Sequence, residues 1–212
     1  ISYCGAHPVF VDVDKDSMGL SADALRAFLE AEADVENGQC VNKTTGRRIA
    51  AVVPMHTFGH PVDIHEIKTL CEHYHIKVVE DAAESLGSRI DGTHMGTVGD
   101  VGIVSFNGNK IVTCGGGGAV LTNDEGLAKL GKHLTTTAKV PHKWAYMHDH
   151  IGYNYRLTNL SAALACAQLE QLNDFVENKR QLATEYAAFF DAFSDVDFVT
   201  ERAGTTANYW SV

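Results

Sequence analysis

The chain has 212 residues, of which 45% are hydrophobic and 21% charged, a composition typical of a globular domain with a sizeable core. Its formal net charge is −10, which argues against non-specific nucleic-acid binding because a phosphate backbone requires a basic surface. The sequence contains no run of about 18 apolar residues and no visible signal peptide, so we predict no membrane span.

The cysteines and the chain ends indicate the setting of the protein. An odd number of cysteines without a CxxC pair predicts reduced thiols, as in a cytoplasmic protein. The sequence begins at Ile1 without a methionine, and both ends read like the interior of a domain. We therefore expect a domain that is truncated at both ends. The cysteines are Cys4, Cys40, Cys71, Cys114 and Cys166.

The first half of the chain predicts alternating strands and helices. Ser21 and Asp63 each precede apolar residues at helical spacing, so both are predicted to cap helices. Residues 34–48 are polar and lack periodicity, which predicts an exposed loop. Apolar runs predict three strands, over residues 8–13, 49–53 and 76–79.

The second half continues this alternation and then becomes helical. Strands are predicted over 101–106 and 119–121, and Asn123 is predicted to cap the helix that follows. Two long helical patterns cover about 159–172 and 174–193. Alternating helices and nearly continuous apolar strands indicate an α/β fold with a mostly parallel sheet flanked by helices.

The residues with the clearest chemical meaning lie where two predicted strands end. The predicted strand 76–79 is followed directly by Glu80 and Asp81. Ser105 lies at the end of another predicted strand, which leads into a loop containing Lys110 and the glycines 115–118. Sites in parallel sheets lie at the carboxyl ends of strands. A lysine can form a Schiff base with pyridoxal phosphate, and an aspartate can keep the pyridine nitrogen protonated. Glu80, next to Asp81, is predicted to point to the opposite side of its strand.

Other chemistries have weaker support. The Lys110 loop lacks the Walker spacing, no GxGxxG follows a strand, and no GxSxG is present. Several histidines crowd the segment 142–150 beside Asp149, but their spacing is not that of a zinc site. We therefore predict no metal site.

Five stretches together resemble the DegT/DnrJ/EryC1/StrS family of sugar aminotransferases, which are fold-type I pyridoxal phosphate enzymes. They cover almost the whole chain in the order found in the family. The sequence around Lys110 and the loop KVPHKW are most similar to the LegC-type branch. The stretches are GAHPVFVDVD, AVVPMHTFGHPVDIHEI, VVEDAAESLGS, MGTVGDVGIVSFNGNKIVTCGGGGAVLT and GYNYRLTNLSAALACAQLEQL.

This resemblance implies a role for individual residues. Lys110 would form the Schiff base with pyridoxal 5'-phosphate and transfer the proton, and Asp81 would hold the pyridine nitrogen. Glu84 occupies a position where many members have a glutamine that contacts the cofactor ring or its 3-hydroxyl. Ser105 would bind the cofactor phosphate, and Asn154 would reach the phosphate of the partner subunit's cofactor, so that a homodimer shares its sites.

The resemblance also implies a reaction and a domain plan. The expected reaction moves an amino group from glutamate to a 4-keto-6-deoxy nucleotide sugar, for a surface glycan or a nonulosonic acid, in a bacterial cytoplasm. Residues 1–190 would be part of the large cofactor-binding domain, and residues 191–212 the start of a small C-terminal domain. Two alternatives stay open: a binding or regulatory protein with this fold but no turnover, and a related sugar dehydratase, which usually has histidine in place of Lys110.

Overall fold

The computed structural model of the protein describes residues 1–211. Strands and helices alternate through the first half of the chain, and helices dominate the second half. The helices are α1 (Ala22–Glu32), α2 (Ile64–His73), α3 (Glu125–Thr135), α4 (Asn159–Leu169) and α5 (Leu172–Phe190). The strands are β1 (Ala33–Glu36), β2 (Gln39–Asn42), β3 (Ala51–Val52), β4 (Lys77–Asp81), β5 (Arg89–Ile90), β6 (Thr93–His94), β7 (Val101–Ser105), β8 (Gly118–Leu121) and β9 (Thr205–Thr206).

The central sheet has four strands in the order β3-β4-β7-β8. β3 and β4 are parallel, as are β4 and β7, whose register places Asp81 opposite Ile103. β8 is antiparallel to β7, and Gly118 pairs with Ser105. The predicted α/β fold with a mostly parallel sheet is confirmed, and the ends of β4 and β7 lie side by side.

Apolar faces of the first two helices cover this sheet. Ser21 caps α1 by accepting a hydrogen bond from the Ala24 N–H at 3.2 Å, as predicted. Fully buried apolar side chains from α1, α2 and β4 then form one core, which fixes the position of β4. Among them are Leu25, Leu29, Ile64, Ile67, Cys71 and Val78.

Two predictions for the first 50 residues are wrong. The predicted loop 34–48 contains an antiparallel hairpin of β1 and β2. Its turn is Asn37–Gly38, where both residues have positive φ, so a dipeptide typical of tight hairpins was the missed signal. The predicted strand 8–13 has only one isolated bridge, from Val13 to Leu20, and its Phe10 is exposed. An apolar run becomes a strand only beside a pairing partner, and residues 1–211 supply none there.

Two predicted helix caps also differ from the structure. The cap of α3 is Asp124 rather than Asn123, because the Asp124 carboxylate accepts from the Leu127 N–H at 2.9 Å. Asp63 does begin α2, but its side chain caps nothing. The Asp63 carboxylate instead accepts a hydrogen bond from Arg202 at 3.0 Å, which connects the segment after α5 to the start of α2.

The segment after α5 folds back on the rest of the chain. β9 pairs with β5, and buried Asn208 donates to the carbonyl oxygens of Glu84 and Leu86 at 2.8 and 2.9 Å. The division of the chain at residue 190 stays a prediction. No helix within residues 1–211 has the length and apolarity needed to cross a membrane.

The start of β4 is held by an ion-pair cluster around Asp100. Its carboxylate accepts from Lys77 at 2.7 Å, from Lys68 at 2.9 Å and from the Val78 N–H at 2.9 Å. Burial opposes ionisation of Asp100, but these hydrogen bonds outweigh it and hold its pKa well below the usual range. The cluster therefore favours the folded state as long as Asp100 is ionised.

We predict that Asp100→Asn lowers the free energy of unfolding by about 1–2 kcal/mol at neutral pH, since charged hydrogen bonds are lost but Lys77 is exposed. The folded-state pKa is depressed, so this contribution is complete above the unfolded-state pKa of about 3.9 and disappears as the pH falls through the lower folded-state value. Urea unfolding of both proteins from pH 7 to pH 3 measures this difference. A gap that stays constant or widens below pH 4 would contradict the assignment.

Candidate active site

Lys110 lies in the loop that connects β7 to β8. The loop is closed at its base, where the Phe106 N–H donates to Gly117 O at 3.0 Å, and the Lys110 N–H donates to Asn107 O at 3.1 Å. Gly115 and Gly117 have φ of 86° and 94°, a region that disfavours other residues. The glycine run thus lets the chain return into β8 beside the end of β7.

The Lys110 side chain meets two residues from distant parts of the chain. Its Nζ lies 3.1 Å from Glu84 Oε1 and 4.2 Å from the centre of the Trp210 ring. The Lys110 and Glu84 side chains are only 13% and 20% exposed, so their ion pair is largely shielded from water. The second Glu84 oxygen accepts from the Phe58 N–H at 2.8 Å. The lysine amine is therefore held in place by the Glu84 carboxylate.

Asp81 ends β4 at the same edge of the sheet. Its carboxylate accepts from the Ala83 N–H at 3.1 Å, and no cation among residues 1–211 pairs with it. Its backbone is fixed on both sides, because its N–H donates to Pro54 O at 2.8 Å and its carbonyl accepts from the His56 N–H at 3.1 Å. Asp81 thus presents a half-buried carboxylate that has no counter-ion among residues 1–211.

Glu80 points to the other side of β4, as predicted, and is fully buried. It accepts hydrogen bonds from His56 Nε2 and from the backbone N–H groups of Gly96, Val98 and Gly99. Burial raises its pKa, but these donors outweigh burial and hold the pKa of Glu80 below its ordinary value. Glu80 is therefore a buried anion beneath the candidate site.

Ser105 and Asn154 lie in different places. Ser105 ends β7 next to the end of β4, and its Oγ accepts from the Asn107 N–H at 3.2 Å, so it stands at the base of the Lys110 loop. Asn154 is exposed and forms an isolated bridge with Thr136. No hydrogen bond or ion pair within residues 1–211 joins Asn154 to the Lys110 group. Four of the five predicted site residues therefore share one edge of the sheet, and Asn154 does not join them.

A second polar cluster lies away from this edge. Asp149 Oδ1 is 2.6 Å from His133 Nε2 and 3.0 Å from His150 Nδ1, and these ligand atoms lie within 4.8 Å of one another. The two histidines lower the pKa of Asp149 to about 2. The hydrogen bonds already use the carboxylate, and the absence of a metal site stays a prediction.

Sequence reasoning missed three residues that shape the site. The Trp210 ring lies under the Lys110 ammonium group, and the Phe58 N–H donates to the Glu84 carboxylate. The Asn208 side-chain amide donates to the backbone carbonyl of Glu84. The segment 208–210 follows Lys110 by about 100 residues, so no local spacing connects them. The indole Nε1 of Trp210 is buried without a hydrogen-bond partner among residues 1–211.

Comparison with known proteins gives a consistent result. The model of the DegT/DnrJ/EryC1/StrS aminotransferase family matches residues 1–211. A GDP-perosamine synthase of Escherichia coli O157:H7 is 38% identical over 212 residues, which are all of this chain and 53% of that protein. The chain thus spans about half the length of the curated relatives it matches.

Solved structures agree with the sequence relatives. A DegT DnrJ EryC1 StrS aminotransferase from Brucella abortus superimposes with a TM-score of 0.86 at 30% identity, over 99% of this chain and 53% of that one. DesV from S. venezuelae superimposes with a TM-score of 0.83 at 27% identity, over 99% of this chain and 52% of that one. The arrangement of helices and strands described above is therefore that of known aminotransferase structures.

Proposed function

Because the chain belongs to the DegT/DnrJ/EryC1/StrS aminotransferase family, we propose that its protein is a pyridoxal phosphate-dependent aminotransferase of nucleotide sugars. The observation that supports this most directly is the shielded pair of Lys110 and Glu84, 3.1 Å apart, at the sheet edge that Asp81 also occupies. An amine for covalent attachment and a free carboxylate are the two groups that this cofactor needs from a protein.

The residues present fit the cofactor. Asp81 has no cation partner within residues 1–211, so a protonated pyridine nitrogen could supply the missing charge. Ser105, at the end of β7, would donate its hydroxyl to the phosphate, and Lys110 would hold the cofactor covalently. When bound, the cofactor accepts the amino group and serves as an electron sink.

In this proposal the chain itself positions groups and moves protons. As a neutral amine, Lys110 Nζ would take the proton from the reacting carbon, and the Glu84 carboxylate would hold the ammonium so formed until Lys110 returns the proton. Asp81 places a fixed negative charge where positive charge must be retained. Trp210 and the loop around Phe58 shield the pair from water, which strengthens these interactions.

The substrates are proposed on the basis of the relatives. Three of them are named GDP-perosamine synthase, which supports a sugar nucleotide as the amino acceptor. We propose a 4-keto-6-deoxy nucleotide sugar as acceptor and glutamate as donor, in surface-glycan or nonulosonic acid synthesis in the cytoplasm. The five free cysteines agree with a reducing compartment. Membership of the LegC-type branch stays a prediction.

The two alternatives make different predictions. A dehydratase of this fold usually has histidine at the position of Lys110, so the lysine argues against it. A binding or regulatory protein would keep the cofactor and show no change of its absorbance with any amino donor. Turnover therefore separates the proposed enzyme from a binding or regulatory protein.

The test supplies the full-length protein with pyridoxal phosphate, glutamate labelled at its amino nitrogen, and a panel of keto-sugar nucleotides. We expect mass spectrometry to find the label in one amino-sugar nucleotide. Labelled nitrogen in no sugar, despite cofactor binding, would refute the proposed reaction.

We also propose a homodimer in which Asn154 contacts the cofactor phosphate of the partner subunit. The segments around Asn154 expose many large apolar side chains, which is unusual for a surface that contacts only water. Asn154 itself is exposed, and within residues 1–211 it forms no hydrogen bond with Lys110 or Glu84. The exposed side chains are Trp144, Tyr146, Ile151, Tyr155 and Leu160.

Mixing two inactive variants tests the shared site. Lys110→Ala and Asn154→Ala subunits are each expected to have at least about tenfold less activity than wild type. Unfolded together and refolded, they should regain about a quarter of wild-type activity, because half the dimers are mixed and each has one intact site. No regain beyond the average of the separate variants would contradict a shared site.

A further inference from the structure

A buried pair of polar side chains, Glu80 and His56, lies directly under the candidate site. Both are fully buried, and His56 Nε2 lies 3.0 Å from Glu80 Oε2. The other ring nitrogen of His56 accepts from the Val62 N–H at 3.3 Å, which places a proton on Nε2. His56 therefore donates to Glu80, and the pair connects β4 with the loop 54–62.

The same carboxylate also holds a second loop. Gly96 N–H donates to Oε2 at 2.8 Å, and the N–H groups of Val98 and Gly99 donate to Oε1 at 2.7 and 2.5 Å. Four donors from two loops thus converge on Glu80. Burying a charge is costly unless such donors surround it, and a well-packed apolar residue would avoid that cost. The arrangement is therefore better explained by its effect on geometry than by stability alone.

The loop that His56 anchors contacts both acidic residues of the site. Its Pro54 and His56 bond the two sides of the Asp81 backbone, at 2.8 and 3.1 Å. Its Phe58 N–H holds the Glu84 carboxylate at 2.8 Å. A shift of this loop would therefore move Asp81 and Glu84 together, without any direct contact between His56 and Lys110.

We propose that Glu80 and His56 are positioning residues that set the placement of Asp81 and Glu84 relative to Lys110. This inference rests on the proposed function. A small misplacement of groups at a reacting centre can cost about a hundredfold in rate, even when the altered residue lies outside the site. The pair fits this role because it is fully buried and hydrogen-bonded to the loops on both sides of β4.

The test compares two changes at opposite ends of β4 in the full-length protein. Glu80→Gln removes the charge that the four donors face, and the control Asp100→Asn removes the ion-pair cluster at the start of the strand. Both should lower the melting temperature. Only Glu80→Gln should weaken cofactor binding and slow the glutamate-dependent loss of the cofactor's visible absorbance, by about ten- to a hundredfold, in protein kept well below its melting temperature.

A second pair of variants keeps the inference testable if Glu80→Gln fails to fold. His56→Gln has an amide that can still donate to Glu80, whereas His56→Leu fills a similar volume and has no donor. We expect His56→Gln to retain the cofactor affinity and half-reaction rate within about threefold, and His56→Leu to lose about tenfold in both. If His56 only filled space, the two variants would behave alike.

The outcomes separate this inference from the proposed function. Folded Glu80→Gln or His56→Leu with wild-type affinity and rate would overturn the positioning role, as would an equal loss in Asp100→Asn. If wild type binds the cofactor but ignores every amino donor, the proposed function fails, and the cofactor dissociation constants of the variants still decide the positioning role. A wild-type protein that binds no cofactor would overturn both.

Discussion

Replacing Lys110 with alanine is expected to abolish amino transfer, with a loss on the order of ten-thousandfold or more. The change removes both the amine that would hold the cofactor and the group that would move the proton, and no other lysine within residues 1–211 contacts Glu84. Steady-state rates with the labelled donor measure the loss. Full transamination without Lys110 would refute its role.

A matched control separates this chemical effect from a general one. Lys129→Ala removes a lysine that is 73% exposed and that, among residues 1–211, pairs only with Glu125 on the surface of α3. Its activity and stability should equal those of wild type within about twofold and about 0.5 kcal/mol. Lys110→Ala should itself fold, because the Glu84 carboxylate keeps its hydrogen bond from the Phe58 N–H when the ion pair is lost.

Asp81→Asn is expected to reduce turnover by about a hundred- to a thousandfold. Asparagine keeps an oxygen for the Ala83 N–H at nearly the same place but removes the negative charge. If that charge stabilises the pyridinium form of the cofactor, the variant should fold normally and bind the cofactor more weakly. The exposed Asp195 provides a control, because Asp195→Asn removes the same charge from a residue after α5 that has no part in the proposed site.

The measurement for Asp81→Asn has two parts. Cofactor titration followed by absorbance gives the affinity, and the rate of the half-reaction with glutamate gives the chemical effect per bound cofactor. A variant that retains both the wild-type cofactor affinity and the wild-type half-reaction rate would show that the Asp81 carboxylate has no role in the reaction.

Much of the sheet and of the site could be predicted because the signals are local. Apolar runs marked β4 and β7, and the residues that end those strands must lie side by side once the strands are parallel neighbours. The sequence therefore predicted that Asp81 and Ser105 end neighbouring strands and that Lys110 follows one of them, whereas their roles in a site stay predictions. Glu80 was also oriented correctly, because side chains alternate along a strand.

The parts that could not be predicted depend on contacts between distant segments. Trp210 stacks on Lys110, and Phe58 binds Glu84 through its backbone rather than its side chain. The role of Glu80 as acceptor for two loops depends equally on tertiary packing. The hairpin at Asn37–Gly38 differs from these, since its turn signal was present and the polar composition of its strands concealed it.

The most direct test of the proposed function is an absorbance spectrum of the full-length protein with pyridoxal phosphate, recorded before and after glutamate, for wild type and for Lys110→Ala. We predict a visible band in wild type that glutamate bleaches, and no corresponding band in Lys110→Ala. A wild-type protein without the band would contradict the proposed function, and a band that no amino donor changes would favour a binding protein that keeps the fold and the cofactor.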